Sequence, residues 1–340
     1  MPAFALLTTT DAMLMLGIMA MIGLCVGSFL NVVGLRFLAE ESVVFPASHC
    51  PQCNTPLQWL ENIPVLSYLI QRGRCKHCAC GIHWQYPVVE ILTAILFCAV
   101  LWQFGISWQT LFWLFFMANV VVITITDLRE SLIFNINSLS LVPAGLLYHL
   151  LNLAHTPTAA WNLGVMVVHV PEGLTAALIA VGVAFVFFEG LILFSRLALG
   201  TDGFGHGDTF LMMGVGAYLG WKLTLLSLAL GFIIQTIPSI PIMVWQWIQQ
   251  KQYVSLISGG VAAAAALSPL ALMQLHLERS LETMLMLGCM GVSVIALVVF
   301  MRNIRQTESH TYLPLGPALV LGSIIALFWG QAILSHFHWG

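Results

Sequence analysis

Charged side chains are scarce in this sequence: 7% of its 340 residues are Asp, Glu, Lys or Arg, where a soluble domain carries about 25%. With 59% hydrophobic residues and a mean hydropathy of +0.94, too little polar surface is left for a water-exposed body, and a polytopic membrane protein is implied. Basic tracts are missing as well. A net charge of -3 without a Lys/Arg cluster excludes a nucleic-acid binder. Neither Gly-x-Ser-x-Gly nor His-Glu-x-x-His occurs, which removes the serine nucleophile elbow and the helical zinc-protease site. No Rossmann glycine signature and no cleavable signal are evident. Aspartate is the rarest acid. Only Asp11, Asp127, Asp202 and Asp208 are present.

The polar residues that do exist are concentrated. Residues 37–86 interrupt the apolar pattern with charges, prolines and two Cys-x-x-Cys pairs, Cys50/Cys53 and Cys75/Cys78, separated by 21 residues. Four thiolates in two such knuckles are the donor set of a tetrahedral structural zinc site, and they leave no open position for catalysis. The segment therefore reads as a zinc-ribbon-like insert stapled by Zn2+, since about fifty residues without much core need a staple. Cys80, His49, His77 and His83 stand close enough in sequence to serve as alternative ligands.

Around this insert, apolar runs long enough for a bilayer core of about 20 residues recur throughout. A first span covers 12–35, and others cover 87–104, 107–126, 132–153 and 173–199, with a short segment at 209–220. Four more lie at 223–248, 254–276, 282–301 and 312–336. The fold class expected is an all-α polytopic membrane protein of about 8–10 transmembrane segments with a small cytoplasmic insert. Its parts are a first segment (1–36), the insert (37–86), a core (87–248), an insertion adding a helix pair (249–310) and a closing helix (311–340). Residues 154–172 read as a polar connection.

Basic residues mark the cytoplasmic side of short loops. With the N-terminus outside, Arg36, Arg72, Arg74, Lys76, Arg129, Arg196, Lys251, Arg302 and Arg305 fall inside, against Lys222 and Arg279 outside. The same orientation puts the cysteine insert, Asp127 and Asp208 on the cytoplasmic face, where thiols stay reduced.

Carboxylates at a membrane edge are costly and point to function. Asp127 ends one apolar run, and Asp208 closes Gly203-Phe204-Gly205-His206-Gly207-Asp208, where Gly205 and Gly207 let an extended substrate approach. Two such acids brought together can share a proton in the manner of aspartic proteases, without metal or cofactor. His206 is the histidine best placed for a role in the loop. A lone Asp in a glycine loop can also serve merely as a helix cap.

Four blocks carry a family resemblance: Gly27-Ser28-Phe29-Leu30-Asn31-Val32-Val33; Cys50 through Glu61-Asn62-Ile63-Pro64 and Arg72-Gly73-Arg74-Cys75 to Tyr86-Pro87-Val88-Val89-Glu90; Asp127-Leu128-Arg129; and Gly205-His206-Gly207-Asp208 with Gly216-Ala217-Tyr218-Leu219-Gly220-Trp221. Together they resemble the bacterial prepilin peptidases of the GxGD aspartic protease group, and Pro314-Leu315-Gly316-Pro317-Ala318 looks like that family's closing helix. The resemblance implies cleavage of prepilin or pseudopilin leaders at the cytoplasmic face of the bacterial inner membrane, by Asp127 and Asp208. It further implies methylation of the new N-terminus by S-adenosylmethionine, and it assigns the four cysteines to a metal tetrad. The chain departs from the family pattern at Phe134, where proline is usual, and at Phe210, where lysine is usual. These departures keep alive a pilin-binding assembly protein that does not cut. A proton-coupled transporter using the two acids is the other alternative.

Overall fold

The computed structural model describes residues 9–152, 158–162, 167–200, 204–249 and 314–336, with short pieces at 251, 253–254, 257–261 and 292. Helix α1 (Thr9–Leu38) leads into the insert, which contains a short 3-10 turn at Trp59–Asn62 and α2 (Leu66–Ile70). Then follow α3 (Gln85–Phe104), α4 (Trp108–Glu130) and α5 (Asn135–Leu151). Next come strands β1 (Thr158–Asn162) and β2 (Val167–Pro171) and helices α6 (Glu172–Leu199), α7 (His206–Gln249) and α8 (Gly316–His336). Among the described residues, α1, α3, α4, α6, α7 and α8 are long and apolar enough to cross a membrane, and the chain is a multi-pass membrane protein. The insertion at 249–310, with the two spans expected in it, and Asp202 fall almost wholly outside the described residues.

The helix boundaries follow local chemistry. Gly105 ends α3 at φ +65, its N–H bonded to Leu101 O at 2.8 Å, a conformation only glycine adopts freely. Ser107 then caps α4 by accepting the Thr110 N–H. Gly220 (φ 72, ψ 171) breaks α7 into two helical segments, at the boundary expected between the runs 209–220 and 223–248. At 44 residues an unbroken helix would be about 66 Å long, roughly twice a bilayer core. The connection at 154–172 holds one feature that its composition did not announce. There β1 pairs antiparallel with β2, Ala160 opposite His169, a small hairpin in an otherwise helical fold.

Two units are distinguished by their internal contacts: Met1–Val186 with His206–Phe232 and Pro314–Gly340, and Phe187–Gly205 with Ile233–Leu313. In the second, Phe188 and Phe204 meet edge to face at 6.5 Å. The first is packed through small residues, as expected where lipid supplies no hydrophobic drive between helices. Gly23 and Gly27 of α1 lie on α3: a Cβ on Gly23 would stand 2.5 Å from Ala94 Cα, and one on Gly27 2.8 Å from Glu90 Cα. Gly145 of α5 meets Ala217 of α7, Gly216 meets Ala180 of α6, and Gly231 meets Leu319 of α8. Ser227 and Ser323 share a buried hydrogen bond at 2.8 Å between α7 and α8. Tyr218 joins a ring cluster with Trp113 (5.1 Å) and Phe116 (5.0 Å) and donates to Phe112 O at 3.2 Å. Gly27→Leu is expected to destabilise the detergent-purified protein by about 1–3 kcal/mol through overpacking. A melting temperature equal to wild type would refute this close α1–α3 contact.

Candidate active site

Asp127 sits in the last turn of α4 and is buried. Its carbonyl accepts the N–H of Ser131, whose left-handed backbone (φ 51) turns the chain out of the helix. Its carboxylate Oδ2 accepts the N–H of Gly316, the first residue of α8, at 2.9 Å. The turn after α4 brings Ile133 against two glycines. A Cβ on Gly207 would stand 2.6 Å from Ile133 Cβ, and one on Gly316 would stand 3.1 Å from Ile133 Cδ1 and 2.6 Å from Asp127 Oδ2. Ile133 therefore lies close both to Gly207, the residue before Asp208, and to Gly316, whose N–H the Asp127 carboxylate accepts.

Asp208 lies in the first turn of α7 and is half-buried. It is not the residue before the helix, so the simple N-cap reading does not describe it. His206 opens α7 and is exposed, as is Gly205 before it. Phe134 precedes α5 with φ -72, within the range that proline imposes, and its ring packs edge to face on Phe37 at 5.5 Å. The backbone at this departure therefore keeps a proline-like course. Phe210 lies two residues into α7 from Asp208 and is half-buried.

The insert is built from one turn used twice. Asn54 N–H bonds Cys50 O at 2.8 Å and Ala79 N–H bonds Cys75 O at 2.9 Å, with Asn54 (φ 53) and Ala79 (φ 57) both left-handed. Isolated bridges His49–Pro56 and Arg74–Gly81 close the two knuckles. They bring the sulfurs of Cys50, Cys53, Cys75 and Cys78 within 4.8 Å of one another, a set able to hold a metal ion; tetrahedral bonds of about 2.3 Å space thiolates near 3.8 Å. The Cys53 backbone N–H holds the Cys50 thiol down at about 6, and the Thr55 hydroxyl lowers that of Cys53. The neighbouring Cys80 thiol pushes Cys78 up. Cys80 Sγ stands 3.1 Å from Cys78 Sγ and 3.6 Å from Cys50 Sγ, so it overlaps the vertex of Cys78. The histidines are engaged elsewhere: His49 Nδ1 with Ala47 O, His83 Nδ1 with Gln85 N–H, and His77 Nε2 at 3.5 Å from Glu61 Oε1.

Two buried charged residues dock this insert on the helices, and a third joins two of the helices beneath it. Arg36, buried, donates to the carbonyls of Ser42 (2.9 Å), Val43 (3.2 Å) and Pro46 (2.6 Å). Glu90, buried in α3, accepts the Val65 N–H at 2.7 Å. Arg129 donates from Nε and NH2 to Gln85 Oε1 at 2.9 and 2.6 Å, tying the end of α4 to the start of α3. A charged residue at the end of an apolar run was the available signal.

Comparison with known proteins places both parts. Residues 21–104 match the Bacterial Peptidase A24 N-terminal domain and residues 114–240 the Type IV leader peptidase family. A prepilin leader peptidase/N-methyltransferase of Myxococcus xanthus is 36% identical over 201 residues, covering 59% of this chain and 55% of that protein. The chain thus spans about half the length of that relative. One from Aeromonas hydrophila is 31% identical over 292 residues, covering 86% of this chain and 74% of the relative, and one from Pseudomonas aeruginosa is 25% identical over 92% of this chain and 90% of its own. No solved structure matches the chain.

Proposed function

Because the chain belongs to the prepilin leader peptidase/N-methyltransferase family, we propose that it removes the leaders of prepilins or pseudopilins and methylates the N-terminus it exposes. The observation that supports the first activity is the buried Asp127 carboxylate at the end of α4, anchored by Gly316 N–H, with Ile133 of the following turn lying close to both Gly316 and the glycine preceding Asp208. In this reading the two carboxylates share one proton. The ionised acid takes a proton from water as its oxygen adds to the scissile carbonyl carbon. The protonated acid then gives its proton to the leaving nitrogen as the C–N bond breaks. Gly205 and Gly207 leave room for an extended peptide, and His206 flanks it.

Both acids lie at helix ends rather than at mid-depth, where transporter sites sit, so the proton-coupled transporter is not favoured. The positive-residue count supports a cytoplasmic face for the site and the insert, and in this reading the chain sits in the lipid bilayer of the bacterial inner membrane. Methylation of the new amine draws on S-adenosylmethionine as methyl donor. Mass spectrometry of a co-expressed prepilin tests both activities: a truncated, methylated N-terminus is expected. An intact leader would overturn the protease reading and favour an assembly protein.

The metal in this reading is Zn2+ held by Cys50, Cys53, Cys75 and Cys78, and it staples the insert. Close to one zinc per chain is expected by elemental analysis. Cys50→Ser or Cys75→Ser should release it and lower stability. Cys78→Ser should lose less, because Cys80 Sγ stands at 3.1 Å ready to occupy the same vertex. Full zinc retention in Cys50→Ser and Cys75→Ser would sink the assignment.

A further inference from the structure

The insert turns apolar side chains outward and its acid inward. In the 3-10 turn Trp59–Asn62 the side chain of Glu61 is 6% exposed and faces Lys76 and His77, while Trp59 is 77% exposed and Leu60 is exposed beside it. In α2 the polar Ser67 and Tyr68 are half-buried, whereas Leu66, Leu69 and Ile70 are turned out, Ile70 to 72%. The turn and α2 pack on one another, so these five apolar side chains lie in one region of the insert. In water that arrangement is unfavourable, and an exposed apolar patch of this kind marks an interaction surface. Its charge has one sign. Glu61 is the only acid between Leu57 and Trp84, and Arg72 and Arg74, which follow α2, are exposed.

Contacts with the helices fix how deep this surface lies. Along α1, Gly34 meets Ile125, two residues before Asp127, and Gly27 meets Glu90 of α3. The two glycines are about 10 Å apart along the helix, and Gly27 is the one nearer the middle of the span Thr10–Leu38. Val65, the residue before α2, donates its N–H to Glu90 Oε2 at 2.7 Å. Val44, Pro46 and Pro64 of the insert line a cavity of about 350 Å³ together with Cys25 and Phe29 of α1, well back from the end of α1 at Leu38. The insert therefore folds back along the spans to the level of Asp127 instead of standing off them in water. At that level Phe29 and Ile91 are exposed apolar side chains of membrane spans, so the patch continues a lipid-facing surface. A bilayer leaflet matches both the depth and the charge: interfacial segments bury apolar side chains about 5–10 Å into the headgroup–acyl boundary, and anionic headgroups attract basic residues beside them. We propose that the 3-10 turn and α2 are immersed in the leaflet next to Asp127, with their apolar side chains at the acyl boundary and Arg72 and Arg74 on the phosphates of anionic phospholipids. Because α2 is held to α3 through Glu90 and the insert to α1 through Arg36, this immersion sets the height at which Asp127 meets the membrane surface.

The test places a benzoylphenylalanine photoprobe, one position at a time, in the full-length, metal-loaded protein in nanodiscs of phosphatidylethanolamine and phosphatidylglycerol, followed by irradiation and mass spectrometry. Probes at Leu69 and Ile70 are expected to gain the mass of one phospholipid about tenfold more often than a probe at Ala79, exposed in the second knuckle. A probe at Leu111, exposed on α4, should label lipid and calibrates the yield. Metal content reports that each variant is folded. Arg72→Ala combined with Arg74→Ala should lower the lipid adduct at Leu69 to the level found in pure phosphatidylcholine. Adducts at Leu69 and Ile70 that carry another protein or a second copy of this chain overturn the proposal. So do lipid adducts there no more frequent than at Ala79 while Leu111 labels. An adduct yield unchanged by loss of both arginines overturns the headgroup contact.

Discussion

Asp127→Asn and Asp208→Asn are each expected to lower leader cleavage by at least about 10²–10⁴-fold, the contribution of a positioned acid–base group, with metal content unchanged. An amide keeps the shape of the carboxyl but cannot take or give the proton, so the loss isolates chemistry from packing. For Asp127 the substitution also leaves an oxygen able to accept the Gly316 N–H at 2.9 Å, so the end of α4 should stay in place. Asp202→Asn is the control within the same glycine stretch and should retain most of the activity. The assay is gel-shift or mass-spectrometric processing of a prepilin by purified variants. Loss of activity in Asp202→Asn with processing intact in Asp208→Asn would show that the wrong pair has been chosen and that the carboxylate at 202 faces the substrate.

The parts of this architecture that were legible in the sequence are those whose cause is local. Apolar runs of bilayer length gave the spans, because every backbone group in lipid must be bonded within its own helix. Cys-x-x-Cys pairs announced the knuckles, since one left-handed residue after each pair suffices to aim two sulfurs at one point. Gly220 was visible as the gap between two runs, and its φ of 72 makes it a true break. Gly27, the first residue of a family block, lies on α3 together with Gly23. The hairpin at Thr158–Asn162 and Val167–Pro171 left no strict alternation to read. Roles that depend on distant partners left no local trace. Arg36 was legible only as a marker of the cytoplasmic side and Glu90 only as part of a family block, until the carbonyls and the Val65 N–H they bind were in view. Ile133 was one more apolar residue of the run 132–153, and only the turn before α5 and its closeness to Gly207 and Gly316 give it meaning. Gly316 itself was noted as part of a closing motif, but its bond to Asp127 spans 189 positions, beyond any periodicity.

Gly316→Ala is expected to reduce cleavage by about 10²-fold or more, the effect of displacing a reacting group by roughly 1 Å. The first backbone N–H groups of a helix have no partner within it, and at the start of α8 most of them are already spoken for. Pro317 has none, and the N–H groups of Ala318 and Leu319 both bond Leu315 O at 3.1 Å. Gly316 N–H is the donor left for the Asp127 carboxylate. Its α-carbon faces the same oxygen, and an added methyl would stand 2.6 Å from Oδ2, well inside contact distance. The carboxylate must then swing away, and Ile133, 3.1 Å from the same methyl, blocks the side toward Gly207. Alanine costs little as a helix residue, so α8 itself should form normally. The loss should appear in kcat, with KM for prepilin nearly unchanged, because the substrate is gripped elsewhere and only the reacting acid has moved. Leu321→Ala, a truncation of an exposed side chain one turn along α8, is the control and should cleave at the wild-type rate. Wild-type kcat in Gly316→Ala would mean that the hydrogen bond to Asp127 holds the helices together without setting the position of the catalytic acid.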